Sequence, residues 1–131
     1  MSEIPEAVRT ALLEHCLAEL PNEACGYLIG DPETGRVDRF VPITNAAASP
    51  TRFRFEPHEQ LAAEQAIDEA GEHVVGIAHS HPTGEPMPSA IDVADATLFD
   101  PFGTLLHVLV SPERGEVRAY RIVDGEIRPV D

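Results

Sequence analysis

Residues 74–92 of the chain read VVGIAHSHPTGEPMPSAID, in which an apolar run leads into two histidines, a proline-rich loop and a helix start. The apolar residues Val74–Ala78 form a short run, which predicts a buried strand. Ser89 and Asp92 fit the N-cap and the third position of a helix over Ser89–Leu98. The stretch therefore predicts a strand, a loop and a helix in succession.

Helices and strands also alternate on both sides of this stretch. Before it, the pattern predicts a helix from Pro5 to about Leu20, strands over Ala24–Gly30 and Val37–Ile43, and a helix from Pro57 towards Gly71. After it, the pattern predicts strands over Leu105–Ser111 and Val117–Val123 and, past the hairpin signal Asp124-Gly125, a short final strand. The expected class is α/β or α+β with a mixed central sheet flanked by helices. A chain of 131 residues suffices for one core, so a single domain over residues 1–131 is expected.

The charge of the chain is strongly negative. It holds 23 acidic residues against nine arginines and no lysine, for a formal net charge of −14. Such a surface repels phosphate and anionic lipid, so we expect neither nucleic acid nor a membrane as a partner. The acids are scattered, which favours solubility in a salty cytoplasm over a dedicated binding face, although a basic protein partner stays open.

The start of the chain and its cysteines indicate where the protein resides. No basic start precedes an apolar run, and no apolar stretch approaches about 18 residues, so neither a secretory signal nor a membrane span is predicted. Cys16 and Cys25 do not make a disulfide framework, and reduced thiols are expected. We therefore expect a cytoplasmic protein.

His79 and His81 lie at the end of the predicted strand, separated by one residue. Because side chains alternate along a strand, the two imidazoles share a face and can converge on one ion. Asp92 lies in the first turn of the next helix, and the loop over 82–88 is long enough to fold it back. Two imidazoles and one carboxylate leave a fourth tetrahedral position for water, as catalytic zinc requires. His79, His81 and Asp92 are therefore predicted to bind one Zn²⁺ per chain.

Each of these residues also has a purely structural interpretation. A His-X-His pair at a strand end occurs without a metal, and Asp92 with Ser89 can simply cap a helix. The presence of both features at this separation favours the metal. A zinc hydrolase further needs a general base that does not ligate the ion, and Glu23, at the start of an apolar strand, is the candidate. By composition alone Glu23 would be a solvated loop acid.

The spacing of these residues resembles a known motif. Glu23, a long gap, His79-Ser80-His81-Pro82, six residues, Ser89, two residues and Asp92 resemble the JAMM motif of the MPN-plus metalloprotease family. The flanking stretches EACGYLIG at 23–30 and PITN at 42–45 resemble the family's small prokaryotic members, and the similarity runs from about residue 4 to 122. The resemblance implies an MPN-like domain, related in architecture to the cytidine deaminase fold.

The same resemblance implies a function and a role for each motif residue. His79, His81 and Asp92 would bind zinc, Glu23 would pass a proton from water to the leaving nitrogen, and Ser89 would hydrogen-bond the oxyanion. The reaction would be hydrolysis after the C-terminal glycine of a ubiquitin-like or sulfur-carrier protein, whose Gly-Gly tail lies in an extended groove. The sequence does not choose between isopeptide cleavage and release of an amino acid from a carrier.

The sequence leaves a second function open and excludes a third. Many domains of this fold serve assembly only, so a non-catalytic binding or scaffold module with a structural metal site is the alternative. A nucleobase deaminase is set aside because the chain has no Pro-Cys-x-x-Cys signature.

The remaining histidines, cysteines and arginines near the motif are assigned structural roles. Cys16 and Cys25 are expected to be packing thiols, although Cys25 shares a strand face with Glu23. His107 is expected to be a half-buried strand residue, and the other histidines surface residues: His15, His58 and His73. Arg52 and Arg54 alternate with two phenylalanines. This pattern predicts an edge strand with a charged face, or a contact with an acidic or carboxyl-terminal substrate tail.

Overall fold

A computed structural model describes residues 4–130 of the chain. Within them lie three helices and six strands: α1 Glu6–Glu19, β1 Cys25–Gly30, β2 Val37–Ile43, α2 Pro57–Glu69, β3 His73–Ser80, α3 Ala90–Phe99, β4 Leu106–Ser111, β5 Glu116–Val123 and β6 Glu126–Val130. The six strands form one mixed sheet, which confirms the predicted fold class. The single domain over residues 1–131 stays a prediction. None of the helices in residues 4–130 is both long and apolar enough to cross a membrane.

The strand order explains how the two halves of the motif meet. The sheet runs β2-β1-β3-β4-β5-β6, and β3 pairs with β4 in parallel while the other neighbours are antiparallel. Parallel neighbours need a crossover connection, and α3 supplies it between β3 and β4. The chain therefore leaves the carboxyl end of β3 at the edge of the sheet where α3 begins.

Apolar side chains cover both faces of the sheet. On one face Leu12 of α1 packs with Leu28 of β1 in one core cluster. On the other face Ile67 of α2 packs with Tyr27 and Ile29 of β1 in a second cluster. Residues 27, 28 and 29 thus alternate between the faces, as strand geometry requires. Helices α1 and α2 consequently lie on opposite sides of the sheet.

One predicted strand boundary and one predicted strand differ from the structure near the site. Strand β3 continues to Ser80, two residues beyond the predicted end, so His79 lies inside the strand. The run Arg52–Phe55 is not an edge strand, and only Phe55 forms an isolated bridge, to Asn45. The side chain of Asn45 binds the backbone there instead, donating to the Arg52 carbonyl and accepting from the Arg54 N–H.

The predictions for the other histidines and the cysteines had mixed outcomes. His107 is buried rather than half-buried, because its Nε2 lies 3.0 Å from the buried Asp100 carboxylate. His15 is partly buried, with its ring centroid 5.5 Å from that of Phe40, so its surface prediction was wrong. Two predicted surface histidines, His58 and His73, are exposed. Cys16 and Cys25 are buried free thiols, as predicted.

Candidate metal centre and active site

The end of β3 is held by backbone bonds to both neighbours. Ser80 donates its N–H to the Ala24 carbonyl at 3.0 Å, and its Oγ accepts from the Ala24 N–H at 2.8 Å. His81, just past the strand, donates its N–H to the Val110 carbonyl of β4 at 2.9 Å. The side chain of Ser80 is buried, and the histidines on either side of it point the other way, onto one face.

Asp92 reaches these histidines from the start of α3. Ser89 is the N-cap, and its Oγ accepts from the Asp92 N–H at 3.1 Å while Asp92 Oδ2 accepts from the Ser89 N–H at 2.9 Å. This reciprocal capping box confirms the predicted helix start. The same Oδ2 lies 3.1 Å from His79 Nε2 and 3.1 Å from His81 Nε2. The capping role and the approach to the histidines are therefore simultaneous.

The ligand atoms of this cluster fit a zinc ion. One atom each from His79, His81 and Asp92 lies within 4.8 Å of the others. His81 Nδ1 lies 3.0 Å from the Glu85 carbonyl, which requires Nδ1–H as the donor and leaves the lone pair on Nε2. Two imidazole nitrogens and one carboxylate oxygen are a donor set that zinc accepts with a further position open.

The loop between the histidines and α3 is anchored at several points. The hydroxyl of Tyr120 donates to the Pro86 carbonyl at 2.7 Å, and Ser111 Oγ donates to the Gly84 carbonyl at 3.3 Å. Pro82 and Pro88, at the two ends of the loop, are buried. These contacts fix the path by which Asp92 returns to the end of β3.

Electrostatics favour the protonation state that a metal site needs at Asp92 and His79, but not at His81. Burial opposes ionisation of Asp92, but hydrogen bonds with His79 and His81 hold its pKa well below the ordinary range. Burial lowers the pKa of His79 despite the opposing hydrogen bond with Asp92. Burial would also lower the pKa of His81, yet its bonds to Asp92 and the Glu85 carbonyl raise it. An ionised carboxylate and a neutral His79 are suited to ligation.

Glu23 is buried, with 3% of its surface exposed, so the view of it as a solvated loop acid was wrong. Its N–H donates to the Ser49 carbonyl at 2.8 Å, and its carbonyl accepts from Asn45 Nδ2 at 3.0 Å. Burial is the main cause that raises the pKa of Glu23 to about 7, with His81 lowering it and Asp92 raising it. Its buried Oε1 has no hydrogen-bond partner among residues 4–130. A buried acceptor without a partner beside the cluster is suited to receive a proton from a water there.

The raised pKa of Glu23 predicts a pH-dependent stability in the metal-free protein. The folded chain keeps a proton that the unfolded chain loses, because burial raises the pKa from 4.5 to about 7. The stabilisation is complete below pH about 4.5 and is lost as the pH rises through about 7, a change of roughly 3 kcal/mol. Urea unfolding of wild type and Glu23→Gln across this range measures it, since their difference cancels the other carboxylates. A difference that stays constant with pH would contradict the prediction.

Phe53 lies against the cluster, a position that was not predicted from the sequence. Its ring stacks on that of His79, with centroids 4.5 Å apart and an interplanar angle of 26°. It also lies against Phe55, which makes an edge contact with Tyr27. The alternating pattern of residues 52–55 could have indicated this role, because it places both phenylalanines on one face of an extended segment.

An apolar groove opens beside the cluster. It has a volume of about 600 Å³ and lies between α2 and α3 over the sheet. A second, much smaller cavity reaches His79 and Asp92. The two share four lining residues: Phe53, Ile77, Asp95 and Phe99. The groove therefore continues to His79 and Asp92.

Comparison with known proteins agrees with this geometry. Residues 5–123 match the family model of prokaryotic homologs of the JAB domain. A CysO-cysteine peptidase of Mycobacterium tuberculosis is 43% identical over 120 residues, covering 89% of this chain and 80% of that protein. A desampylase of Haloferax volcanii is 32% identical over 125 residues, covering 92% of this chain and 86% of that protein.

A solved structure extends the similarity to the whole fold. The solution structure of protein DSY2949 from Desulfitobacterium hafniense matches with a TM-score of 0.86 at 31% sequence identity, covering 100% of this chain and 90% of that one. The family match spans most of the chain and includes every residue of the JAMM-like motif. The chain therefore belongs to the prokaryotic JAB-domain family, as the JAMM resemblance implied.

Proposed function

We propose that the chain is a zinc-dependent peptidase or isopeptidase that hydrolyses the bond after the C-terminal glycine of a ubiquitin-like or sulfur-carrier protein. The observation that carries this proposal is the convergence of His79, His81 and Asp92, together with the buried carboxyl group of Glu23, which interacts electrostatically with His81 and Asp92. Metal ligands alone would serve a structural site equally well. A buried acid with an unpartnered oxygen adds the general base that hydrolysis requires.

The proposed roles divide between metal and protein. His79, His81 and Asp92 hold the ion, which when bound would acidify a water and polarise the scissile carbonyl. Glu23 would take a proton from a water at the cluster and return it to the leaving nitrogen. In the metal-free protein, burial raises the pKa of Glu23 to about 7. A carboxyl group held ready to take up a proton near neutral pH is suited to this role.

Ser89 is the proposed oxyanion donor. Its Oγ uses a lone pair to accept from the Asp92 N–H, so its own hydroxyl hydrogen stays available to donate. Its residue surface is exposed, which leaves room for a substrate carbonyl. A donor fixed by a capping box needs little reorganisation as negative charge develops on the substrate oxygen.

The substrate class is proposed from the relatives and from the shape of the site. The names CysO-cysteine peptidase and desampylase favour a small carrier protein as the substrate of this chain too. The Arg52 carbonyl and both backbone groups of Arg54 form hydrogen bonds with Asn45 and Ala46. Between them, the N–H and carbonyl of Phe53 bind no backbone group within residues 4–130. An extended tail could pair with this free backbone edge, next to the ring that stacks on His79.

Zinc analysis and a cleavage assay test the proposal. We expect about one zinc per chain and cleavage of a carrier conjugate, abolished by a chelator and restored by zinc. Mass analysis of the products distinguishes a glycine–lysine isopeptide cut from release of free cysteine. Bound zinc without cleavage of either kind of conjugate would indicate the scaffold alternative, and cleavage that survives complete metal removal would contradict the metal's role.

A further inference from the structure

Arg52 and Arg54 flank the ring that stacks on a proposed metal ligand, and both are exposed. Five other arginines bind within the described chain: Arg36, Arg39, Arg118 and Arg128 to carboxylates, and Arg121 to a backbone carbonyl. Neither Arg52 nor Arg54 forms an ion pair or a side-chain hydrogen bond within residues 4–130. Arg9 and Arg114 also have no side-chain partner within residues 4–130. What distinguishes Arg52 and Arg54 is that they lie two residues apart, on either side of the ring that stacks on His79.

The backbone of this segment fixes the side on which the two arginines lie. The Arg52 carbonyl and both backbone groups of Arg54 bind towards Asn45 and Ala46, as alternate residues of an extended chain do. Phe53 and Phe55 are partly buried, pack against the second core cluster and line the groove. The arginines therefore share the outer face, and Arg54 also borders the groove. Their charges lie beside the free backbone edge at Phe53.

We infer that Arg52 and Arg54 bind acidic side chains in the substrate's C-terminal tail, upstream of its terminal glycines. The inference rests on the proposed function, because it takes the tail to pair at Phe53. A strand paired there would place alternate side chains on the arginine face, at the roughly 5 Å Cβ spacing that cross-strand ion pairs need. The guanidinium fork matches a carboxylate in two hydrogen bonds.

The charge of the whole chain makes this pair selective. A net charge of −14 repels an acidic tail elsewhere on the surface and attracts a basic one. Arg52 and Arg54 make the surface locally positive beside Phe53, where the tail is proposed to pair. An acidic tail is therefore favoured over a basic one at that position. The chain therefore selects carriers with Asp or Glu near the tail over carriers with Lys or Arg at the same positions.

Binding of two labelled tail peptides to the zinc-loaded protein tests this without requiring cleavage. Both peptides end in Gly-Gly and differ only in having two glutamates or two lysines upstream. We expect the acidic peptide to bind about tenfold more tightly at low salt, and the preference to shrink at high salt. In Arg52→Glu/Arg54→Glu the preference should reverse. The matched control, Arg9→Glu/Arg128→Glu on α1 and β6, makes the same charge change away from the groove and should keep it.

Equal binding of the two peptides, no binding of either, or a preference unchanged in Arg52→Glu/Arg54→Glu would overturn the inference. So would an equal loss of preference in the control pair, since that would indicate net charge alone. Circular dichroism of each variant establishes that it is folded. A binding preference that behaves as expected, in a protein that cleaves no carrier conjugate, would support the inference and count against the proposed hydrolysis only.

Discussion

Glu23→Gln should keep its zinc and lose about two to four orders of magnitude in kcat, the usual contribution of a general acid–base group. Glutamine has nearly the shape of glutamate, so the backbone bonds of residue 23 to Ser49 and Asn45 remain. It cannot accept a proton from water near neutral pH. Because the residue is not in the proposed ligand set, zinc content should stay at the wild-type level.

Metal analysis and steady-state kinetics on a carrier conjugate measure the two expectations separately. Glu33→Gln is the matched control, because it makes the same chemical change at an exposed position in the turn between β1 and β2. It should retain wild-type kcat. If Glu23→Gln turned over at the wild-type rate, Glu23 would not be the base, and if it lost its zinc, Glu23 would be acting as a ligand.

The convergence of His79, His81 and Asp92 was predictable because local rules place each of the three residues. Strand alternation puts His79 and His81 on one face, and the capping pattern puts Asp92 in the first turn of α3. The parallel pairing of β3 and β4 then requires a crossover connection that starts at the end of β3. Helix α3 is part of that connection, so its first turn lies near the two histidines. The spacing of the motif therefore contained most of the geometry.

The environment of Glu23 was not predictable in this way. Its burial depends on Ser49 and Asn45, which lie more than 20 residues away in a segment without regular structure. The same segment continues to Phe53, whose contact with His79 joins residues 26 positions apart. Such contacts are set by how a long loop folds over the sheet, and neither hydrophobic periodicity nor turn signals describe that path.

The error at residues 52–55 has the same origin. Alternating charged and aromatic residues favour a strand, yet the side chain of Asn45 makes two of the hydrogen bonds, to Arg52 and Arg54, that the backbone of a neighbouring strand would have made. The side-chain hydrogen bonds of an asparagine to the backbone can thus take the place of backbone hydrogen bonds between two strands. The N–H and carbonyl of Phe53 are left without a backbone partner within residues 4–130, beside the cluster.

His81→Ala should lower zinc affinity by more than about 100-fold, because removing a direct ligand costs more than removing one of the groups that orient it. Cleavage should fall with the bound zinc. The fold should survive, since the His81 N–H still donates to the Val110 carbonyl and the side chain is only partly buried. Asp92→Ala would be a less clean test, because it also removes the capping box and with it roughly 1 kcal/mol of stability.

Competition with a zinc indicator, with thermal unfolding of the metal-free proteins alongside, separates lost affinity from lost structure. His58→Ala is the matched control, because that imidazole is 96% exposed and lies on α2. We expect the control to bind zinc like wild type and His81→Ala to unfold near the wild-type temperature without metal. Equal zinc stoichiometry in His81→Ala and wild type at limiting free zinc would remove His81 from the ligand set. The carboxylate of Asp92 would then be left to join His79 alone, which is one ligand too few for the three-ligand site proposed here.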